Sequence, residues 1–143
     1  MILLDTSGLL AALDADEPRH RAAAAVLRED RGPRLLSPFV LAEIDGAPGQ
    51  RASANGRRGR SSRVVARGAY RLAPFDAVDI AGALDIIDAH GDLNIGLADA
   101  SIAVLSRRYG TLDILALDER HFRIVRGVGD RPFRLLPADA RAS

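Results

Sequence analysis

Residues 1–17, MILLDTSGLLAALDADE, indicate how the fold of this chain begins. The apolar run Ile2–Leu4 ends at Asp5, and apolar residues at helical spacing follow, among them Leu9 and Leu13. The stretch therefore predicts a short buried strand that leads directly into a helix. No basic leader precedes Asp5, so we expect neither a signal peptide nor a membrane span, and we expect a cytoplasmic location.

The same alternation of short apolar runs and helical patterns continues along the chain. Ser37-Pro38 has the form of a helix start, a hydroxyl N-cap followed by proline. One long helix carries apolar residues at near-helical spacing, namely Val78, Ala81, Leu84 and Ile87. We expect strands at 2–4, 34–36, 70–73, 113–117 and 134–136, and helices after Asp5, at 19–29, from Pro38, at 76–90 and at 97–109.

Short strands that alternate with helices predict an α/β fold, with a mostly parallel sheet covered on both faces. Residues 1–137 fit a single domain, which leaves 138–143 as a tail. In parallel sheets chemistry gathers at the carboxyl ends of the strands. Polar side chains at those ends are therefore the first candidates for a functional site.

The composition excludes several kinds of site. The chain has 143 residues and no cysteine, which excludes disulfides, thiolate metal sites and cysteine nucleophiles. All 20 basic residues are arginine, so a phosphate-binding P-loop and a Schiff-base enzyme are excluded because both need a lysine. The net charge of +1 predicts no strong nucleic-acid footprint by itself. Oxygen ligands remain, and these suit Mg²⁺ or Mn²⁺.

Four carboxylates occupy positions where chemistry is expected. Asp5 and Asp118 each follow an apolar strand, although each also fits an ordinary helix N-cap, and that alternative stays open. Glu43 and Asp99 fall on the apolar stripes of their helices, where a carboxylate is rare unless it is paired or bound to metal. At a separation of about 4 Å, each carboxylate pair would repel by about 4 kcal/mol at an effective dielectric of about 20. If the four converge, a bound cation is the simplest physical account.

The chemistry of such a site is phosphodiester hydrolysis. A carboxylate-bound Mg²⁺ keeps open positions that phosphate oxygens can fill, and it can activate a water and stabilise the leaving oxygen. A haloacid-dehalogenase-type phosphatase also uses an aspartate after its first strand. It needs a second aspartate two residues further on, where this chain has Ser7, so we set that alternative aside.

Four blocks of the sequence closely resemble the PIN-domain ribonucleases, and in particular the VapC-like toxins of bacterial toxin–antitoxin modules. They are LLDTSGLLA near the start, SPFVLAEID at 37–45, GLADASIAVLSRRYG at 96–110 and LALDERHF at 115–122, in the family's order. The resemblance implies a three-layer α/β/α sandwich, dependence on Mg²⁺ or Mn²⁺ and endonucleolytic cutting of RNA. It also implies inhibition by a cognate antitoxin and homodimerisation.

The resemblance also assigns roles to individual residues at the positions that match. It implies that the catalytic and metal-binding acids are Asp5, Glu43, Asp99 and Asp118. Thr6 and Ser7 are candidate substrate contacts through a hydroxyl or the backbone. Arg120 and His121 are further candidates because of their position beside Asp118 in the sequence, and a solvated surface is the alternative for these two.

One segment departs from the family pattern. Residues 46–63, GAPGQRASANGRRGRSSR, contain no aliphatic side chain larger than alanine, and their composition is typical of a disordered loop or linker. Reading the codons of Gly46–Gly49 one base later allows Val-Leu-Leu, which favours a local double frameshift over a genuine insertion. If a core helix is lost there, the alternative function is an inactive PIN-like protein that only captures antitoxin or RNA.

Overall fold

The computed structural model describes residues 1–46, 63 and 65–140. The strands are β1 (Ile2–Leu4), β2 (Arg34–Leu36), β3 (Arg71–Leu72), β4 (Asp113–Leu115) and β5 (Arg134–Leu136). The helices are α1 (Thr6–Leu13), α2 (His20–Glu29), α3 (Pro38–Gly46), α4 (Ala77–Ala89) and α5 (Leu97–Tyr109). Short 3₁₀ turns lie at Gly91–Leu93 and Val128–Asp130.

The five strands form one sheet in the order β3-β2-β1-β4-β5, and every strand pairing in it is parallel. Leu3 of the central strand β1 is in register with Leu35 of β2 and with Ile114 of β4. All three residues of β1 are buried. Because successive side chains of a strand point to opposite faces, this burial shows that helices cover the sheet on both sides. The predicted α/β fold with a parallel sheet is confirmed.

Strand β4 ends two residues earlier than the sequence predicts. Its ladder with β5 runs through Leu115, and the amide of Ala116 still donates to the carbonyl of Leu136 at 3.0 Å. The next two amides, of Leu117 and Asp118, donate to the hydroxyl of Ser7 instead. The strand therefore stops where a side chain from α1 replaces the neighbouring strand as hydrogen-bond acceptor.

Helix α4 lies where the sequence predicts it, but the face that is buried in the core differs from the apolar stripe that the sequence predicts. Val78 is 78% exposed and Leu84 is 49% exposed, whereas Ala83 and Ile86 are buried. The face turned to α5 carries the small residues Gly82 and Ala83, and a Cβ added at Gly82 would lie 3.7 Å from Val104 of α5. Close packing against α5 is thus made possible by small residues on this part of α4.

The ordered chain continues past Pro137, where the sequence analysis ends the domain. The carboxylate of Asp139 accepts a hydrogen bond from the amide of Leu135 at 2.8 Å and pairs with Arg123 at 2.8 Å. Residues 138–140 of the predicted tail are therefore held against β5. The remaining 141–143, and nearly all of the atypical segment Gly46–Arg63, lie outside the described residues. No helix within the described ranges is long and apolar enough to cross a bilayer.

Candidate active site

Asp5 stands at the carboxyl end of the central strand and caps helix α1. Its side chain accepts hydrogen bonds from the backbone amide of Ser7 at 3.3 Å and from the Ser7 hydroxyl at 2.5 Å. The residue is only 5% exposed. Burial is the main reason that its pKa is raised to about 6; the nearby charge of Asp99 adds to this, and the hydrogen bonds from Ser7 partly oppose it. Asp5 is thus both the N-cap of α1 and a candidate residue of the site.

The hydroxyl of Ser7 connects Asp5 with the chain that follows β4. It donates to Asp5, and it accepts from the amides of Leu117 at 2.9 Å and Asp118 at 3.1 Å. The sequence analysis names Ser7 as a candidate substrate contact, but in the structure its hydroxyl is used to position Asp5 and the chain after β4.

Gly8, which the sequence analysis does not single out, makes the close packing of helix α1 against strand β4 possible. A Cβ added at Gly8 would lie 2.2 Å from the carbonyl oxygen of Leu115. No real side chain fits there, so α1 can pack against β4 at this distance only with glycine. A glycine two or three residues after a strand-end carboxylate, at the start of a helix, was the available sequence signal.

Glu43 and Asp99 line a shared cavity of about 310 Å³, whose other lining residues are Phe39, Ala42, Gly96, Leu97 and Ala98. Glu43 is exposed, so its predicted inward position is wrong. The buried residues of α3 are Val40 and Ile44, which are one turn apart. This orientation of α3 about its axis leaves Glu43 at the cavity wall. The hydroxyl of Thr6 donates to Oε1 of Glu43 at 3.2 Å, which joins this acid to the residue after Asp5.

Asp99 lies in the first turn of α5, where a negative charge is favoured by the helix dipole. Its side chain is partly buried, and its Oδ2 accepts a hydrogen bond from Nδ1 of His121 at 2.5 Å. His121 is one of the candidate substrate contacts from the sequence. In the structure its ring is bound to a second acid of the site.

Asp118 is exposed and is paired with Arg120, another candidate substrate contact. The guanidinium donates through Nε to Oδ1 at 2.9 Å and through Nη2 to Oδ2 at 2.6 Å. These hydrogen bonds are the main reason that the pKa of Asp118 is lowered to about 2. No helix follows, since turns occupy the residues after Asp118, so the N-cap interpretation is wrong for this residue.

The four acids are connected, but the structure does not gather all four around one point. Asp5 and Asp99 are close enough for the charge of Asp99 to raise the pKa of Asp5. Thr6 links Glu43 to Asp5, and Ser7 links Asp5 to the backbone of Asp118. Within the described residues, no three Asp, Glu or His side chains form a group that could hold a metal ion. Convergence of all four on one ion stays a prediction.

The surroundings of Asp5 nevertheless fit a divalent cation. The groups that act on its carboxylate are Ser7, Thr6 and Asp99, none of which is a cation. A buried carboxylate beside a second one is costly without a positive charge. Mg²⁺ is commonly held by one or two carboxylates together with water and phosphate oxygens, so Asp5 and Asp99 are candidate ligands.

The fold and this acidic strand end define the class of the protein. Residues 2–127 match the PIN domain model. The chain therefore belongs to the PIN-domain family, as the four sequence blocks predict. Over 136 residues it is 38% identical to ribonuclease VapC26 of Mycobacterium tuberculosis, a match that covers 95% of this chain and 100% of that protein.

Solved structures share the fold. The crystal structure of VapC20 from M. tuberculosis, described as a toxin that cleaves the sarcin–ricin loop, superposes with a TM-score of 0.74 at 20% identity, covering 82% of this chain and 90% of that one. VapBC2 from Rickettsia felis, solved with a DNA fragment from its promoter, gives a TM-score of 0.63 at 18% identity, covering 94% and 98%. At these identities the two structures support the fold alone.

Proposed function

We propose that this protein is a divalent-metal-dependent endoribonuclease that acts as the toxin of a toxin–antitoxin module. The observation that carries the proposal is the buried Asp5 carboxylate at the end of the central strand, close enough to Asp99 for the two charges to interact. The relationship to a protein named as a ribonuclease supports the reaction class. The resemblance of the four sequence blocks to VapC-like toxins, together with the relative named VapC26, supports the biological role.

The proposed ligands of the metal are Asp5 and Asp99, with Glu43 and Asp118 at the edge of the site. Mg²⁺ or Mn²⁺ suits these oxygen donors, and when bound it would supply an activated water and neutralise charge on the scissile phosphate. Ser7 holds the Asp5 carboxylate in place through its hydroxyl and amide. Without a cation the acids would repel the RNA backbone, so activity should depend strictly on metal.

The cavity beside the acids offers a place for the RNA. Its walls combine Phe39, Leu97 and two alanines with the carboxylates of Glu43 and Asp99. Apolar walls can accept a base, and a metal held by the acids would engage the phosphate next to it. Arg120 is mostly exposed and can leave Asp118 to contact a phosphate. Arg123 is less available, because it is paired with Glu119 and Asp139.

The proposed partners are a cognate antitoxin and a second copy of this chain, in the cytoplasm where the RNA is. The resemblance to VapC-like toxins of toxin–antitoxin modules, together with the relative named VapC26, supports the antitoxin. In this proposal the antitoxin covers the cavity and the acids, and so keeps RNA away from them.

The test is cleavage of total bacterial RNA by the purified protein, with cut sites mapped by primer extension. We expect cuts in Mg²⁺ or Mn²⁺ and none in EDTA. Asp5→Asn should abolish them, whereas Asp85→Asn, an exposed carboxylate on α4, should not. Metal-independent cuts that persist in Asp5→Asn would refute the proposal. A wild-type protein that binds antitoxin but cuts nothing would instead support the inactive binding protein that the segment at 46–63 suggests.

A further inference from the structure

We infer that His121 is a positioning residue that holds the metal ligand Asp99 in its binding orientation. This inference rests on the proposed function. Its basis is the hydrogen bond from Nδ1 of His121 to Oδ2 of Asp99, at 2.5 Å between two partly buried side chains. A carboxylate can only accept in this contact, so the ring nitrogen carries the proton.

The hydrogen bond engages one oxygen of Asp99 and leaves the other, Oδ1, for a cation. Carboxylates that bind metals are commonly hydrogen-bonded through such outer groups, which fix their orientation. Without His121, Asp99 could turn away from Asp5 and so relieve the repulsion that raises the pKa of Asp5. The histidine would therefore keep two repelling carboxylates close before the cation arrives.

The backbone of both partners in this hydrogen bond is held in place by regular hydrogen bonds and by packing. Asp99 is in the first turn of the 13-residue helix α5. The carbonyl of His121 accepts from the amide of Val125 at 2.9 Å. The adjacent Phe122 is buried and packs edge-to-face on Phe133, with ring centroids 5.9 Å apart. A site held from both sides in this way is preorganised, which distinguishes the contact from a mobile surface pair.

His121 also lies close enough to Asp118 for a positive charge on its ring to lower the pKa of that acid. One side chain thus lies near both the acid on α5, to which it is hydrogen-bonded, and the acid after β4, although the sequence places these two acids in separate blocks.

The test is Mn²⁺ affinity, measured by isothermal titration calorimetry on the metal-stripped full chain. We expect His121→Ala to weaken binding by about 10- to 100-fold, the usual cost of losing an outer hydrogen bond at a metal ligand. His121→Asn should recover part of the loss, because its amide can donate from nearly the position of Nδ1. The matched control is His90→Ala, whose ring contacts the Ile86 carbonyl at the end of α4.

Melting temperatures in EDTA separate positioning from folding. We expect His121→Asn and wild type to melt alike, so that a change in affinity cannot come from unfolding; if His121→Ala is unstable, the asparagine variant decides. Mn²⁺ binding as tight as wild type, or tighter, in a folded His121 variant would overturn the inference and leave the proposed function intact. A wild-type protein that binds no Mn²⁺ would refute the proposed function, and the inference with it.

Discussion

Gly8 fixes the distance between helix α1 and strand β4, and through it the place of Asp5 and Ser7. We expect Gly8→Ala to destabilise the protein by about 1–3 kcal/mol or more, because the added Cβ would meet the Leu115 carbonyl, which is backbone and cannot rotate away. Urea unfolding measures the change. Metal affinity should fall as well, since α1 must move away from the strand end that Ser7 contacts.

Gly82→Ala is the control for Gly8→Ala. Its added Cβ would meet Val104 at an ordinary 3.7 Å in the middle of α4. Alanine there should be neutral or stabilise the helix by up to about 1 kcal/mol, because it has the better helix propensity. Similar effects of the two substitutions would contradict the close approach at Gly8.

We expect Asp99 to contribute to metal binding and not to the stability of the fold. Asp99→Asn should lose most of the RNA cleavage, because one of the two proposed metal ligands is gone. In EDTA its melting temperature should equal or exceed that of wild type, since the substitution removes a charge that acts against Asp5.

Added Mg²⁺ should raise the melting temperature of wild type but not that of Asp99→Asn, because only a folded state that binds the ion is stabilised by it. An Asp99→Asn protein that melts well below wild type in EDTA would show that Asp99 serves structure instead.

At the scale of elements, periodicity and caps predicted most of the helices and strands. Strands β1, β2 and β5 and helix α5 have the predicted bounds, and Gly110 ends α5 in the left-handed conformation with φ +72°. The face of α4 could not be predicted, because Val78 and Leu84 follow a helical period as well as the buried residues do. Which face is buried depends on how α5 packs against α4. The sequence of α4 alone does not determine this packing.

The positions of two candidate acids were predictable from the sequence, and the contacts of these acids were less so. Asp5 and Asp99 are at a strand end and on a helix stripe, and both positions are visible in the sequence. The contacts of Ser7 with Asp118 and of His121 with Asp99 join residues 111 and 22 positions apart. Such contacts arise from the packing of distant segments, and residue spacing carries no signal for them.

The turn after β5 should make stability depend on pH. The pKa of Asp139 is lowered, chiefly by hydrogen bonds from Arg123. Its stabilising effect is therefore complete above the ordinary aspartate value of about 3.9 and is lost as the pH falls through the lower folded value. We expect Asp139→Asn to cost about 0.2–1 kcal/mol at pH 7, the range of a largely exposed ion pair, with the difference from wild type shrinking below pH 4.

Urea unfolding of wild type and Asp139→Asn between pH 3 and pH 7 measures this difference. Asp85→Asn, on the exposed face of α4, is the matched control for removal of one negative charge. A cost of Asp139→Asn that stays constant over this range would show that the ion pair with Arg123 contributes nothing.

At the scale of the whole molecule, helix α4 presents an apolar surface. Of the six large apolar side chains exposed in the part of the chain that the structure describes, three are on α4. Ile80 and Leu84 are one turn apart, so a second copy of the helix, related by a two-fold axis, would bring the same residues together. The homodimer that the family resemblance implies fits this surface.

We expect Leu84→Glu to convert the dimer to a monomer, as measured by light scattering after size-exclusion chromatography. Folding should be unaffected, because Leu84 is already half exposed. Val78→Glu is the control, since Val78 is more exposed and lies on another side of α4. A dimer that survives Leu84→Glu would exclude α4 as the interface, and a monomeric wild type would contradict the homodimer.

The position of β1 in the middle of the sheet has a consequence for the cell that makes this protein. β1 is synthesised first, yet its neighbour β4 and the amides that meet Ser7 come more than 100 residues later. A nascent chain on the ribosome therefore carries Asp5 for most of its synthesis without the partners that complete the site. We therefore expect the proposed nuclease to stay inactive on the ribosome until the last strands emerge.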